Sequence, residues 1–168
     1  MLYEIASYLA LLDDQRRQVI DLLVDVPAEA LNWRPLPDLD VHVTNSLAVL
    51  ATHIAGAERF WIAETIGGYP PTRDRDAEFR TEVTVPDPLV LRLKAAGEET
   101  RAVLATLTAE RLEDTVRVHD REAPVRWSIL HVIDHSAVHL GHMQITYQLW
   151  MGGTSRPTPR WFERLPAP

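Results

Sequence analysis

Four of the seven histidines in this chain lie within twelve consecutive residues. They are His131, His135, His139 and His142. At 3.6 residues per turn, their spacing of four, four and three residues places them on one face of an α-helix, over roughly 80° of arc. Polar residues on the opposite side of the same helix indicate that this face is directed into the protein. Imidazoles are costly to bury without partners, and a metal ion is a partner that two rings one turn apart can share.

The spacing therefore predicts a metal site, but it does not choose between His131 with His135 and His135 with His139. Two histidines leave an ion half coordinated, so a third ligand should come from another helix. His53 is the candidate, because it lies about two turns into a second predicted helix and beside its apolar positions. His42 and His119 lie in predicted loops and are expected to face solvent.

Four helices are predicted to position these residues, because apolar side chains recur three or four positions apart in four segments. The segments are residues 2–25, 44–66, 88–107 and 128–153. Ser128 is expected to cap the histidine helix, and one of Thr44, Asn45 and Ser46 the second helix. A weak alternation over residues 115–127 predicts a small hairpin. Four long helices with no convincing sheet indicate an all-α four-helix bundle.

Two segments lie outside these elements. Residues 67–86 begin with paired glycines and prolines, carry many charges and are long enough to cross the length of a bundle. The proline-rich residues 154–168 are expected to cover the bundle surface. Four tryptophans are expected to pack in the core rather than to form a cage for a cofactor. They are Trp33, Trp61, Trp127 and Trp150.

The composition limits the class of protein. The 168 residues, 46% of them hydrophobic, are expected to form a single domain over residues 1–168. A net charge of −7 argues against nucleic acid as a partner, and no window approaches the ~20 apolar residues of a membrane span. The absence of cysteine means that any metal site must use histidine and carboxylate ligands. An acidic N-terminal segment unlike a secretory signal favours the cytoplasm.

Three segments carry patterns that are weak alone and fairly specific together. They are Leu31-Asn32-Trp33-Arg34-Pro35, the stretch from Asn45-Ser46-Leu47 to Trp61 that contains His53, and His135-Ser136-Ala137-Val138-His139-Leu140-Gly141-His142. Their order and separation resemble the DinB superfamily of metalloenzymes across most of the chain. The resemblance implies an up-down-down-up bundle in which residues 67–86 form the crossover between the second and third helices.

The same resemblance assigns a divalent metal ion to His53, His135 and His139. Some branches of the superfamily have Glu where this chain has His135, so the chain resembles an all-histidine variant. His142 stands where many members have Gln, which implies that it borders the pocket rather than binds the ion. Zinc or nickel is the expected metal, because imidazole suits both ions.

The resemblance also implies a function. Some branches are transferases and isomerases that use a low-molecular-weight thiol such as bacillithiol or mycothiol, so we expect a metal-dependent transferase that acts on small electrophilic substrates. A chain without cysteine needs its thiol brought in, and an open metal site can lower the pKa of that thiol. The alternative is a non-catalytic stress or binding protein, whose metal site His142 or Glu58 would close as a fourth ligand. A homodimer is a further expectation.

Overall fold

The computed structural model describes residues 1–24, 26–37, 44–154 and 161–164. The elements are α1 (Tyr3–Val24), α2 (Ala28–Leu31), α3 (Leu47–Glu58), a π-helical segment (Arg59–Ile66), α4 (Arg75–Glu78), α5 (Asp87–Ala105), α6 (Ala109–Glu113), β1 (Thr115–Val118), β2 (Arg121–Pro124), α7 (Val125–Trp150) and a 3-10 turn (Trp161–Arg164). Four of them are long: α1, α3 with its π-helical segment, α5 and α7. The predicted all-α class is therefore confirmed, with the predicted hairpin as its only sheet among the described residues.

The helices pack in a ring, in which α1 and α3 each contact both α5 and α7. Their buried side chains form two apolar clusters. One cluster joins the C-terminal half of α1 to α3, the start of α5 and the C-terminal half of α7. The other joins the N-terminal half of α1 to the π-helical segment, the end of α5 and the start of α7. This grouping is compatible with the up-down-down-up order, which stays a prediction. No helix in the described part of the chain is long and apolar enough to cross a membrane.

The helix ends follow the expected signals with one exception. Ser46 caps α3, since its hydroxyl oxygen accepts a hydrogen bond from the backbone N–H of Val49 at 3.2 Å. Ser128 does not cap α7, and that prediction was wrong. The helix begins at Val125, directly after the strand residue Pro124, and the Ser128 hydroxyl donates to the Pro124 carbonyl at 3.0 Å. The first N–H group of the helix, that of Val125, instead donates to the backbone carbonyl of Asp114 at 2.9 Å.

The histidines of α7 were predicted to face into the protein, but they do not occupy the core. The core positions of α7 are held by apolar and small residues, among them Ile129, Leu140 and Met143. His135 and His139 lie on the flank of this buried face and are half-buried. They are directed at α3, the helix that contacts α7 on that side. The metal-ligand candidates therefore line the seam between two helices, where a ligand can reach them.

The long connection after α3 contains structure that the sequence did not reveal. It turns at Gly68, whose φ of +70° is accessible to glycine without strain. It then forms the single turn of α4, whose start is capped by Asp74 through a hydrogen bond from the N–H of Ala77 at 2.9 Å. The α4 turn packs on α3 beside His53. The proline-rich tail lies largely outside the described residues, although Arg164 pairs with Asp14 of α1 at 3.3 Å.

Candidate metal centre

Three imidazoles converge across the seam between α3 and α7. One ring nitrogen from each of His53, His135 and His139 lies within 4.8 Å of the other two. The Nε2 atoms of His53 and His135 are 3.1 Å apart, and the ring centroids of His135 and His139 are separated by 4.4 Å. Nitrogen atoms this close either share a proton or face a common cation, and the donor set of three imidazoles suits a divalent ion. The three residues thus could hold one metal ion.

His53 is fixed by a buried carboxylate that sequence reasoning missed. The Nδ1 atom of His53 lies 2.8 Å from Oε2 of Glu78, whose side chain is 3% exposed. Arg73 donates to the same carboxylate from Nε and Nη2, at 2.7 and 2.9 Å. A carboxylate that accepts a hydrogen bond from one ring nitrogen keeps the proton on that nitrogen, so the other ring nitrogen is free to bind a metal. Glu78 therefore directs the Nε2 atom of His53 towards His135.

The close approach of Glu78 depends on Gly56. A methyl group at position 56 would overlap the Glu78 carboxylate, so only glycine leaves room for this group one turn after His53. Glu78 lies 25 residues from its partner and in a segment interpreted as a charged connection, so no local pattern links the two. The signal that was present is the glycine three residues after a candidate ligand, which marks a close contact on the ligand face.

The electrostatics of the cluster favour the forms that bind metals. Burial would raise the pKa of Glu78, but hydrogen bonds from His53 and Arg73 outweigh it and lower the pKa. Burial, together with the neighbouring imidazoles and Arg73, lowers the pKa of His135 to about 3. Burial and the nearby His53 and His142 lower the pKa of His139 to about 4. Both rings are neutral at pH 7, so they can bind a cation without first losing a proton.

The structure separates the histidine pairs that spacing alone left open. His131 is not in the cluster: its ring stacks on Trp127, with centroids 4.9 Å apart and planes 3° from parallel. His142 is exposed, and its Nδ1 lies 3.3 Å from Nδ1 of His139. The ring of His119 is exposed as expected and stacks on Phe60 at 6.0 Å. His42 lies outside the described residues.

Glu58 does not offer a fourth metal ligand. It was one of the two residues, with His142, that were expected to close the site, and for Glu58 that expectation was wrong. Its carboxylate is 2% exposed and forms a buried ion pair with Arg16 of α1. The residue falls on a different side of α3 from His53, where its carboxylate meets Arg16 of α1. Among the described residues, the group that could hold a metal ion contains three members and no fourth.

A cavity of about 760 Å³ opens beside the cluster at His139 and His142. Its walls combine apolar side chains from α7 with residues of the connection between α2 and α3, among them Trp33 and Pro35. The volume falls within the range of small-molecule sites, which are mostly apolar with a few convergent polar groups. The segment containing Trp33, one of the three that resemble the DinB superfamily, thus lines the space next to the candidate ligands.

The fold and the site agree with a known family. Residues 7–152 match the family described as mycothiol-S-transferase, and the chain belongs to this family. The uncharacterized protein YkkA of Bacillus subtilis (strain 168) is 26% identical over 117 residues, which cover 63% of this chain and 67% of that protein.

Solved structures show the same fold. A conserved protein from Enterococcus faecalis superposes with a TM-score of 0.71 at 16% identity, covering 90% of this chain and 99% of that one. A DinB-like protein from Bacillus cereus superposes with a TM-score of 0.66 at 16% identity, covering 86% of this chain and 91% of that one. The DinB-like protein YjoA of Bacillus subtilis superposes with a TM-score of 0.65 at 20% identity, covering 90% of this chain and 96% of that one. Together with the family match, these similarities confirm the resemblance to the DinB superfamily.

The Glu78 contact leads to a prediction about metal affinity. In a Glu78→Gln variant, the side chain keeps its shape but loses the charge that holds the proton on Nδ1 of His53. We expect metal affinity to fall by about 10- to 100-fold, as is typical for carboxylates that orient a ligand histidine. Competition with a chelating indicator measures this change.

The matched control is Glu64→Gln, since Glu64 is also a buried carboxylate and pairs with Arg59 instead of a histidine. Its metal affinity should equal that of the wild type. An unchanged affinity in Glu78→Gln would show that Glu78 does not orient a metal ligand.

Proposed function

We propose that the protein is a metal-dependent transferase that joins a low-molecular-weight thiol, such as mycothiol, to small electrophilic substrates. His53, His135 and His139 bind the ion, which is zinc or nickel. The observation that carries the proposal is the convergence of three imidazoles, two of them with a strongly lowered pKa, next to a cavity of about 760 Å³. Membership of the mycothiol-S-transferase family supports the thiol as the co-substrate.

A divalent ion at this site supplies Lewis acidity, which lowers the pKa of a thiol brought next to it. The residues of the chain prepare the site. Glu78 and Arg73 hold the His53 ring in one tautomer, and burial keeps His135 and His139 neutral. His142 lies beside His139, with its side chain exposed in the cavity, where it can accept the proton of the thiol.

The transfer step needs no reactant besides the thiol and the electrophile. The S–H bond of the thiol breaks and its proton passes to His142 and then to solvent. The sulfur electron pair forms a bond to the electrophilic carbon, and the leaving group departs with the electrons of its own bond. Because the described residues include no fourth ligand candidate in the cluster, the open site favours this function over a purely structural metal.

The test is a conjugation assay with mycothiol and a chromogenic aryl halide, run on protein loaded with zinc or nickel. The wild type should conjugate above the uncatalysed rate, and His135→Ala should fall to that background because it loses a metal ligand. His142→Gln should keep its metal and show a lowered turnover, since amide groups do not accept a proton at neutral pH. Equal rates in the wild type and in His135→Ala, across several thiols, would refute the transferase and favour a binding protein.

A further inference from the structure

An aromatic cluster adjoins the metal centre without taking part in it. Its rings come from the π-helical segment and from the first turns of α7: Phe60, Trp61, Trp127 and His131. The expectation that the tryptophans pack in the core was wrong for Trp127, which is 50% exposed, whereas the half-buried Trp61 packs against the second apolar cluster. Large exposed aromatic surface in contact with other rings commonly marks a binding site.

Two of these rings, Trp61 and Trp127, form one wall of a second cavity, of about 410 Å³, which we call the aromatic cleft. The opposite wall is the β1–β2 hairpin, from Val118 to Pro124. The hairpin packs on both the π-helical segment and α7, so its position over Trp61 and Trp127 is set by the fold. The cleft is separate from the larger cavity and shares no lining residue with it.

The ring geometry suits a planar aromatic guest. Trp61 and Trp127 have centroids 5.7 Å apart and planes at 72°, so together they form a corner. One face of Trp127 is covered by the imidazole of His131, which lies parallel to it. A flat ring stacked on one indole of such a corner meets the other edge to face, and both arrangements are favourable for aromatic pairs. A saturated ring of similar size can use neither.

A single side chain, that of His131, lies between the aromatic cleft and the candidate ligands. The ring centroid of His131 is 5.1 Å from that of Trp61, 4.9 Å from that of Trp127 and 5.9 Å from that of His135. The larger cavity begins at the other end of the cluster, at His139 and His142. The three candidate ligands are therefore flanked along α7 by two separate cavities, one for each of two co-substrates.

We infer that the aromatic cleft binds the ring of an aromatic electrophile, while the thiol occupies the larger cavity. The assignment of the two co-substrates rests on the proposed transferase function; the binding of a planar ring by Trp61 and Trp127 does not. In the reaction of an aryl chloride, the thiol sulfur bonds to the ring carbon, the carbon–chlorine bond breaks, chloride leaves with its electron pair, and the thiol proton goes to solvent.

The first arm of the test measures binding alone, on metal-free and on metal-loaded full-length protein. The probes are 2-naphthol and decahydro-2-naphthol, which share a skeleton but differ in planarity, and the method is ligand-observed NMR titration. We expect 2-naphthol to bind several-fold more tightly than its saturated analogue, and Trp127→Leu to weaken 2-naphthol binding about 10-fold. Trp33→Leu, which alters the larger cavity, should leave it unchanged. Equal binding of both probes, or loss of binding in Trp33→Leu but not in Trp127→Leu, would overturn the inference.

The second arm measures conjugation of mycothiol to 1-chloro-2,4-dinitrobenzene and to iodoacetamide, an aryl and a non-aromatic electrophile. Trp127→Leu should raise KM for the aryl chloride about 10-fold and leave the KM values for iodoacetamide and for the thiol unchanged. Conjugation that does not respond to Trp127→Leu, with no change in naphthol binding, would refute the cleft while the transferase stands. Naphthol binding that depends on Trp127 in a protein without conjugation would refute the transferase while the cleft stands.

Discussion

The His139→Ala variant is expected to contain no stoichiometric metal while keeping the helical circular dichroism of the wild type. The position is on the flank of α7, and its half-buried ring lies outside the two apolar clusters that hold the bundle together. Removing it therefore deletes a candidate ligand without opening the core. Metal content of the purified protein, measured by plasma emission spectrometry, checks the result, and His135→Ala should behave in the same way.

The matched control is His131→Ala, because it removes a histidine of the same helix face whose ring stacks on Trp127. This variant should keep its metal. A loss of metal in His131→Ala together with full occupancy in His139→Ala would assign the pair to His131 and His135, the alternative that the spacing left open.

The wild type should melt at a lower temperature after chelation. A ligand that binds the native state at 100 times its dissociation constant adds about 2.7 kcal/mol to the free energy of unfolding. For a domain of this size that corresponds to a shift of roughly 5–10 °C. Chelator should leave the melting temperature of His139→Ala unchanged. An equal melting temperature of the wild type with and without chelator would mean that the native state binds no metal.

The second large effect is expected at the buried ion pair of Arg16 and Glu58. Burial would lower the pKa of Arg16, but the carboxylates of Glu58 and Asp13 together outweigh it and raise the pKa. Gly97 of α5 makes room for this guanidinium, because a Cβ atom there would lie 2.5 Å from its Cζ. The pair joins α1, α3 and α5 between the two apolar clusters.

Glu58→Gln removes the charge of one partner and leaves the guanidinium buried, with Asp13 as its remaining charged partner among the described residues. The free energy of unfolding, from urea denaturation, should fall by about 3 kcal/mol, since breaking one side of a buried pair costs about 3–5 kcal/mol. Asp114→Asn is the matched control, because Asp114 pairs with Arg111 at the exposed surface and its loss should cost less than about 1 kcal/mol. Metal affinity should be unchanged in Glu58→Gln, whereas a metal-binding role for Glu58 would require it to fall.

The sequence alone determined the helices and the histidine face. The apolar period that predicts a helix is a property of residues three or four positions apart. The four long helices, with the π-helical segment counted as part of the second, therefore appear within a few residues of the predicted segments. The same short range placed four histidines on one side of the last helix. The Gly68, Gly152 and Gly153 stops also follow from local backbone preference, and all three have positive φ.

Tertiary structure decided which of these histidines meet. His53 and His135 are 82 residues apart in the sequence, and their contact depends on how α3 packs against α7. The resemblance to the DinB superfamily named His53, His135 and His139 as ligands, and the geometry brings these three together. The spacing of the histidines could not exclude His131, because what removes its ring from the cluster is stacking on Trp127 beside Trp61 of another helix.

Tertiary structure also decided the roles of the carboxylates. Glu58 and Glu78 are both acidic residues at the end of a helix, and nothing in their neighbourhoods distinguishes them. Packing buries Glu58 against Arg16, 42 residues earlier in the chain, and Glu78 against His53 and Arg73. A buried charge is stable only next to a partner of opposite charge or a hydrogen-bond donor, and that partner is fixed by contacts between elements. Helical period is a local property of the chain, whereas the pairing of buried charges exists only in the packed molecule.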